Sequence, residues 1–202
     1  MKISISNSKL GDKIPSLNLP PLLTCRGDAP CKKGCYALKG NWNFPNVKQS
    51  LQNNLDDFLN DKDKFFNDII NWIKNGLTTY KFFRWFSSGD IVNKDFLNGM
   101  VKVANECKET KFLCFTKKFE LVNDYLKENK TLPKNLKIVF STWAKDFKVD
   151  NPFNLPKTYV FFKKSENNAD IPKMAIPCKG KCDECLACWS LKKGQSVYFN
   201  QH

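Results

Sequence analysis

Seven of the nine cysteines lie in two groups, one near each end of the chain, and cysteines grouped in this way are typical of metal sites. The C-terminal run CKGKCDECLAC has C-x3-C-x2-C-x2-C spacing, formed by Cys178, Cys182, Cys185 and Cys188. Short C-x2-C steps let four thiolates surround one compact metal unit, and an unbroken string of four is more typical of iron–sulfur clusters than of zinc ribbons. We therefore expect a [4Fe-4S] cluster, with zinc as the alternative metal and a metal-free segment as the third interpretation.

The N-terminal group has three cysteines where a closed site needs four ligands. The run TCRGDAPCKKGCYA supplies Cys25, Cys31 and Cys35 at C-x5-C-x3-C spacing, with no histidine nearby. Three thiolates leave one position open, which for zinc holds a catalytic water and for a four-iron cluster leaves one iron free to bind a small molecule. The alternative is a closed structural site whose fourth ligand is Asp28 or a distant cysteine.

The two isolated cysteines and the lack of a secretory signal pattern or an apolar span are consistent with a protein of a reducing compartment. Cys107 and Cys114 stand apart on a predicted helix and a predicted strand, where free cysteine is usually a core residue. The first ten residues lack the pattern of a secretory signal, and no stretch approaches the ~18 apolar residues of a membrane span. We expect a soluble cytoplasmic protein without membrane contact, in which the grouped cysteines bind metal rather than form disulfides.

The charge of the chain suggests a polyanion as a second kind of partner. The formal net charge is +13, which favours binding to nucleic acid through counterion release. Only Arg26 and Arg84 among the 33 basic residues are arginine, the residue that makes bidentate hydrogen bonds to guanine and to phosphate. A sequence-specific DNA reader is therefore disfavoured, and general nucleic-acid affinity through a lysine-rich surface stays as an alternative. The oligomeric state cannot be inferred.

Several common enzyme classes lack their residues here. The single histidine, His202, is the last residue, so a Ser-His-Asp or Cys-His hydrolase has no base. Phosphate loops of the Walker type and dinucleotide-binding glycine fingerprints are also missing from the sequence. No catalytic residue can be named from these patterns.

The elements that must position these groups alternate between strand and helix. Apolar residues at helical spacing predict two helices within 47–75, broken near Asp61 and stopped at Gly76. Farther along, the predicted strands are 80–86, 111–115, 136–140, 158–162, 173–176 and an edge strand at 196–200, and the predicted helices are 94–107 and 118–127. Such alternation predicts an α/β fold with a parallel sheet, in this length a small or partial parallel βα barrel. We expect one domain over residues 1–172 and a cysteine-rich extension over 173–202.

Polar residues follow the predicted strands, where a βα barrel builds its active site. Ser88, Gly89 and Asp90 end the aromatic strand, and Arg84 within that strand needs a partner such as Asp90 or a bound anion. The segments Thr116-Lys117-Lys118 and Ser141-Thr142-Trp143 follow the next two strands. The expected cofactor-binding residues are Arg84, Ser88, Gly89, Asp90, Lys117 and Ser141. For the lysines, the alternative is that they only cap and solvate helix starts.

An open three-cysteine site beside a closed four-cysteine site resembles the arrangement of radical S-adenosylmethionine enzymes. In those enzymes the second strand ends in a Gly-Gly-Glu type motif that binds the amino group of the cofactor, and Ser88-Gly89-Asp90 stands at the corresponding place here. The chain departs from their classical C-x3-C-x2-C motif. The resemblance implies a radical-SAM-like barrel, two [4Fe-4S] clusters and S-adenosylmethionine as a small-molecule cofactor of an enzyme whose substrate cannot be named.

Four segments, NSKLGDKIPSLNLPP, TCRGDAPCKKGCYALKG, FRWFSSGDIV and KFLCFTKKFELVNDYL, resemble the bacteriophage gene product 88 family of small cysteine-rich phage proteins. The resemblance runs from about Ile5 to the C-terminus. It implies a phage-borne origin, with the host cell cytoplasm as the location, and a radical-SAM-like barrel. The alternative function is a non-catalytic protein, stapled by iron–sulfur clusters or zinc, that binds nucleic acid or a host protein.

Overall fold

Runs of aromatic and β-branched residues form one mostly parallel sheet in the computed structural model, which describes residues 1–76, 80–143, 145–163, 168 and 170–200. The strands described are β1 (Ile3–Ser4), β2 (Ser16–Leu17), β3 (Phe82–Trp85), β4 (Lys111–Thr116), β5 (Leu136–Ser141), β6 (Lys157–Phe161), β7 (Ile176–Pro177) and β8 (Ser196–Asn200). Their order is β1-β2-β3-β4-β5-β6-β8-β7, and the β1–β2 pair is antiparallel while the other pairs are parallel. The predicted α/β class and parallel sheet are confirmed, and closure into a barrel stays a prediction.

The helices follow the predicted pattern. They are α1 (Pro45–Asn60), α2 (Lys62–Asn75), α3 (Lys94–Glu106), α4 (Phe119–Asn129) and the single turn α5 (Cys182–Cys185). Asp61 separates α1 from α2, as predicted, because its side chain caps α2 by accepting a hydrogen bond from the Lys64 N–H at 2.9 Å. None of the helices in the described residues is long and apolar enough to cross a membrane.

The two faces of the sheet are covered by different parts of the chain. On one face, Phe83, Trp85 and Phe112 pack against α1 to α4 in a core that also contains Cys107 and Cys114, which confirms the core interpretation of these two cysteines. On the other face, a second apolar cluster joins Leu113 of β4 and Val139 of β5 to Trp189, Leu191 and Val197 of the C-terminal segment. That segment therefore substitutes for helices on the second face.

The C-terminal strands differ from the sequence prediction in two respects. β8 was expected at an edge, but it lies between β6 and β7, with Val197 buried and paired on both sides. The edge belongs to β7, which covers only Ile176–Pro177 because the Ala175 N–H donates to the Pro172 carbonyl in a preceding turn. A proline is tolerated at such an edge. His202 lies outside the described residues.

Gly99 of α3 provides a test of this packing. A methyl group at Gly99 would lie 2.0 Å from the Phe66 ring of α2, and that ring is buried among Phe58, Phe65 and Phe96. We predict that Gly99→Ala lowers the free energy of unfolding by roughly 1–2 kcal/mol, because the overpacking exceeds the gain in helix propensity. Chemical denaturation measures the change.

The matched control is Asn98→Ala, at an exposed position of the same helix, which should be neutral or slightly stabilising. The penalty of Gly99→Ala should also shrink in a Phe66→Leu background. A stabilised Gly99→Ala protein would contradict this account of the α2–α3 contact.

Candidate metal centres and the sheet rim

The four C-terminal cysteines are positioned by backbone contacts to two other segments. The Cys178 N–H donates to the Tyr198 carbonyl of β8 at 2.8 Å, and the Cys182 N–H donates to the Lys9 carbonyl at 2.8 Å. Cys182 and Cys185 begin and end α5, and Leu186 then turns the chain at a φ of 53° into the 3₁₀ helix Ala187–Ser190 that carries Cys188. The group is thus held on the second face of the sheet.

All four of these cysteines line one small cavity of about 20 Å³, together with Trp189 and Val197. Burial raises the pKa of Cys188 to about 12, and burial also raises the pKa of Cys182. Without metal, such thiols stay protonated, and a metal ion must displace their protons to bind. A donor set of four thiols with no imidazole in the same pocket fits an iron–sulfur cluster or zinc.

The N-terminal cysteines lie in the segment that follows β2, which we call the N-terminal cysteine loop (residues 22–44). Cys31 is part of the 3₁₀ helix Pro30–Gly34, and Cys35 separates it from the 3₁₀ helix Tyr36–Leu38. Burial, with smaller contributions from the nearby Asp90, Cys31 and Cys35, raises the pKa of Cys25 to about 11. Cys25 therefore lies within electrostatic reach of Asp90 and of the other two cysteines.

Asp28, the alternative fourth ligand, is engaged elsewhere. Its carboxylate accepts a hydrogen bond from Arg26 Nε at 2.5 Å, and the same guanidinium reaches Glu120 of α4. The Arg26 guanidinium also lies over the rings of Phe119 and Phe147. Arg26 thus ties the N-terminal cysteine loop to the start of α4.

The loop after β3 meets the N-terminal cysteine loop in close contact. Gly89 has a φ of +84°, and a Cβ there would lie 2.8 Å from Thr24 Oγ1 and 2.8 Å from Leu19 Cβ, so both the conformation and the space require glycine. Ser88 donates its hydroxyl to the Leu19 carbonyl at 3.0 Å. Asn18 holds this loop as well, because its Oδ1 accepts hydrogen bonds from the N–H groups of Ser87 and Ser88. The sequence does not reveal this role, since an asparagine between apolar residues carries no distinguishing signal.

Asp90, which is buried, connects the end of β3 to the end of β4 and to the N-terminal cysteine loop. Its Oδ1 accepts hydrogen bonds from Thr116 Oγ1 at 2.6 Å and from the Ile91 N–H at 2.8 Å, while Oδ2 accepts from the Lys117 N–H at 2.9 Å. Its own N–H donates to Thr24 Oγ1 at 3.1 Å. Burial raises the pKa of Asp90, against the effect of these hydrogen bonds. The carboxylate expected to bind a cofactor amino group is therefore already engaged by the chain.

Lys117 and Ser141 come together at the carboxyl ends of β4 and β5, which with the end of β3 form what we call the rim of the sheet. Lys117 Nζ donates to Ser141 Oγ at 3.0 Å and lies 5.6 Å from the centre of the Trp143 ring. The charge of Lys117 acts against the burial that raises the pKa of Cys35. Lys118 instead precedes α4 as its N-cap residue, which matches the alternative interpretation of this lysine as a helix start.

Arg84 is the predicted site residue that lies on the second face, on the same side of β3 as Phe82. Its Nε donates to the carbonyls of Trp85 and Phe86, and its guanidinium lies 4.1 Å from the centre of the Phe115 ring. Its charge opposes the burial that raises the pKa of Cys182 and Cys188. Asp90 is not its partner in the structure.

Within the described ranges, no group of three or more His, Cys, Asp or Glu side chains is arranged so that it could hold a metal ion.

Comparison with known proteins identifies one family. The sequence model of a family described as Gene product 88 matches residues 1–191, a span that includes both cysteine groups and ends before β8. No curated protein and no solved structure matches the chain.

The engagement of Asp90 predicts a stability effect. Asp90→Ala leaves the buried donors of Thr116, Lys117 and Ile91 without their acceptor, so the free energy of unfolding should fall by about 3 kcal/mol or more. The exposed Asp63, in the first turn of α2, is the matched control, and Asp63→Ala should cost at most about 1 kcal/mol. Equal effects of the two substitutions would show that Asp90 does not hold the rim together.

Proposed function

The chain belongs to the Gene product 88 family, and from this premise we propose that it is an iron–sulfur protein with two metal centres. The observation that carries the proposal is that Cys178, Cys182, Cys185 and Cys188 line one pocket, with no imidazole among the lining residues. The family match spans this group and the N-terminal group alike. Neighbouring soft thiolate donors without oxygen or imidazole ligands favour iron–sulfur clusters or zinc over hard cations.

The C-terminal centre would be a closed [4Fe-4S] site. Its four thiols fill the ligand requirement of one cluster, and the hydrogen bonds of Cys178 and Cys182 to fixed backbone carbonyls hold the ligand segment against the sheet. Trp189 and Val197 line the same pocket and limit the access of water. Zinc with the same four thiolates is the competing occupant.

The N-terminal centre would be open, with Cys25, Cys31 and Cys35 as its ligands. The finer part of the proposal is a radical-SAM-like enzyme, in which an open cluster holds S-adenosylmethionine and supplies an electron for its cleavage. Support comes from the contact between Gly89 and Thr24, which places the loop after β3 beside Cys25. A cofactor amino group at Asp90 would have to share a carboxylate that already accepts three hydrogen bonds, so only its remaining lone-pair capacity would serve.

Metal analysis tests the proposal. Anaerobically reconstituted protein should contain about eight irons and about eight sulfides per chain, since two [4Fe-4S] clusters suit two cysteine groups. The double substitution Cys182→Ser with Cys185→Ser should remove about half of the iron and leave the N-terminal centre loaded. Iron and sulfide assays with visible absorption measure both results.

Cys107→Ala is the matched control, because Cys107 lies in the helix-side core and should leave the iron content unchanged. Stoichiometric zinc in place of iron would reject the cluster proposal and support the zinc-stapled alternative. Full iron retention in the double variant would show that the C-terminal cysteines are not ligands.

A second candidate function, nucleic-acid binding by a metal-stapled protein, is favoured by the surface of the N-terminal cysteine loop. Tyr36 and Phe44 expose about half of their surface, at 54% and 55%, and Leu23 exposes 67%. Lysines 32, 33 and 39 lie between these side chains in the sequence. Exposed aromatic rings among lysines are typical of surfaces that stack single-stranded bases and neutralise phosphates.

This candidate predicts salt-dependent binding of a single-stranded oligothymidine by fluorescence anisotropy. Replacing lysines 32, 33 and 39 by glutamine should reduce the slope of log K against log salt by about two, since each lost phosphate contact contributes about 0.7. Phe44→Ala should weaken binding about tenfold through lost stacking. The matched control replaces lysines 102, 108 and 134, which are exposed elsewhere. Equal losses in both triple variants would indicate only general attraction to a basic chain.

A further inference from the structure

Arg84 carries a guanidinium that no acid among the described residues neutralises. Among the residues that the structure describes, no carboxylate lies within ion-pair distance of Arg84, and its two terminal amino groups donate to no acceptor. The side chain is partly buried. Holding a partly buried cation without a counter-charge costs free energy, and the usual compensation is an anion.

Arg26, the other arginine of the chain, shows how the same residue type is satisfied elsewhere. Its side chain is also partly buried, at 24% exposed, and it pairs with both Asp28 and Glu120. Both arginines lie against aromatic rings, but only Arg26 has acid partners among the described residues. The lack of an acid partner for Arg84 among the described residues therefore reflects the position of Arg84 in the fold.

The geometry fixes which part of Arg84 is available. The Trp85 and Phe86 carbonyls accept from Nε at 3.1 and 3.2 Å, and the Phe115 ring lies 4.1 Å from the guanidinium carbon. These contacts hold the guanidinium plane before any ligand arrives and leave the two terminal amino groups free. Two parallel N–H donors match the oxygens of a carboxylate or a phosphate.

The surroundings place this donor pair between the two cysteine groups. On one side, the Phe115 ring that contacts the Arg84 guanidinium packs against the same apolar cluster as Cys178, Cys182 and Cys188. On the other side, Arg84 Nε donates to the Phe86 carbonyl, and the adjacent Ser87 carbonyl accepts the hydroxyl of Tyr36, which directly follows Cys35 of the N-terminal group. A small anionic ligand held there would lie beside both groups. A macromolecular anion is disfavoured, because the guanidinium sits on the sheet face that the C-terminal segment covers.

We propose that Arg84 is the anchor of an oxyanion-binding site, which takes the carboxylate or phosphate group of a small ligand between the two cysteine groups. The proposal goes beyond the metal content of the chain and does not depend on whether iron or zinc occupies the cysteines. It assigns to Arg84 an anionic partner that the part of the chain described by the structure does not supply.

The presence of only two arginines makes a direct test practical. In a proton–nitrogen spectrum of the full chain, the Nε–H groups of Arg26 and Arg84 give two signals, which Arg26→Gln assigns. Sodium phosphate and sodium malonate are titrated separately at constant ionic strength into metal-free and metal-loaded protein. We expect the Arg84 signal of the metal-free protein to shift saturably with at least one anion while the Arg26 signal stays in place.

Variants of Arg84 then measure how much its two terminal amino groups contribute to anion affinity. Arg84→Lys keeps the charge but loses the paired donors, and should weaken binding of the anion about tenfold, while Arg84→Gln should abolish it. Arg26→Gln should leave the affinity unchanged. Should an Arg84 variant fail to fold, the two signals of the unsubstituted chain still decide the question.

The two titrations distinguish the two kinds of ligand. Saturation by phosphate alone indicates a phosphorylated ligand, and saturation by malonate alone indicates a carboxylate. A signal that no anion moves, or one that moves in proportion to the Arg26 signal, overturns the proposal. An Arg84 signal that responds only to metal loading also overturns it and makes Arg84 a counter-charge of the metal centre. Failure to find iron leaves the metal-free titration unaffected, so the two proposals fail separately.

Discussion

The buried Asp90 carboxylate is the interaction on which the arrangement of the rim depends. The carboxylate accepts hydrogen bonds from the hydroxyl of Thr116 and the backbone N–H of Lys117 after β4. The backbone N–H of Asp90 donates to the Thr24 hydroxyl, just before Cys25. Burial of the carboxylate raises its pKa, so these donors oppose a real desolvation cost. Asp90 thereby ties the end of β3 to the end of β4 through its side chain, and to the N-terminal cysteine loop through its backbone N–H.

The second face of the sheet explains why the cysteine groups lie where they do. α1 to α4 cover the first face with a large aromatic core, whereas the second face is covered by the segment that carries Cys178 to Cys188. Trp189 closes that face by packing on Phe82 and donating to the Phe83 carbonyl at 3.3 Å. The cysteine spacing and the fold are thus linked, because the same short segment supplies both the ligands and the apolar cover.

Local sequence patterns predicted the regular elements well and the long-range pairings poorly. The break at Asp61 and the strands of β3 to β6 follow from periodicity and capping, which are local. The interior position of β8 depends on pairing with β6 and β7, which no local pattern encodes. The candidate site shows the same division between local and long-range features. Residues that follow strands can be picked out from the sequence because strand ends are local features. The hydrogen bonds of Asn18 and Asp90 depend on loops that are distant in the sequence. Arg84 was recognised as needing a partner, and the structure adds that its terminal amino groups have none among the described residues.

The two cysteine groups differ in how firmly the chain holds them, and this difference agrees with different roles. The C-terminal group is tied by backbone hydrogen bonds to β8 and to Lys9, so its ligands have little freedom beyond side-chain rotation. The N-terminal group lies in a loop with three short 3₁₀ helices, of which only the first contains one of its cysteines, Cys31, and the buried residues of these helices are limited to Ala37. A ligand set on such weakly packed elements can adjust to a small molecule at an open position, at the cost of ordering the loop when the site is filled. In the proposed closed centre, the backbone of Cys178 and Cys182 is already fixed to other segments before metal arrives. The contrast of three and four ligands in the sequence thus corresponds to a contrast of loose and firm support in the fold.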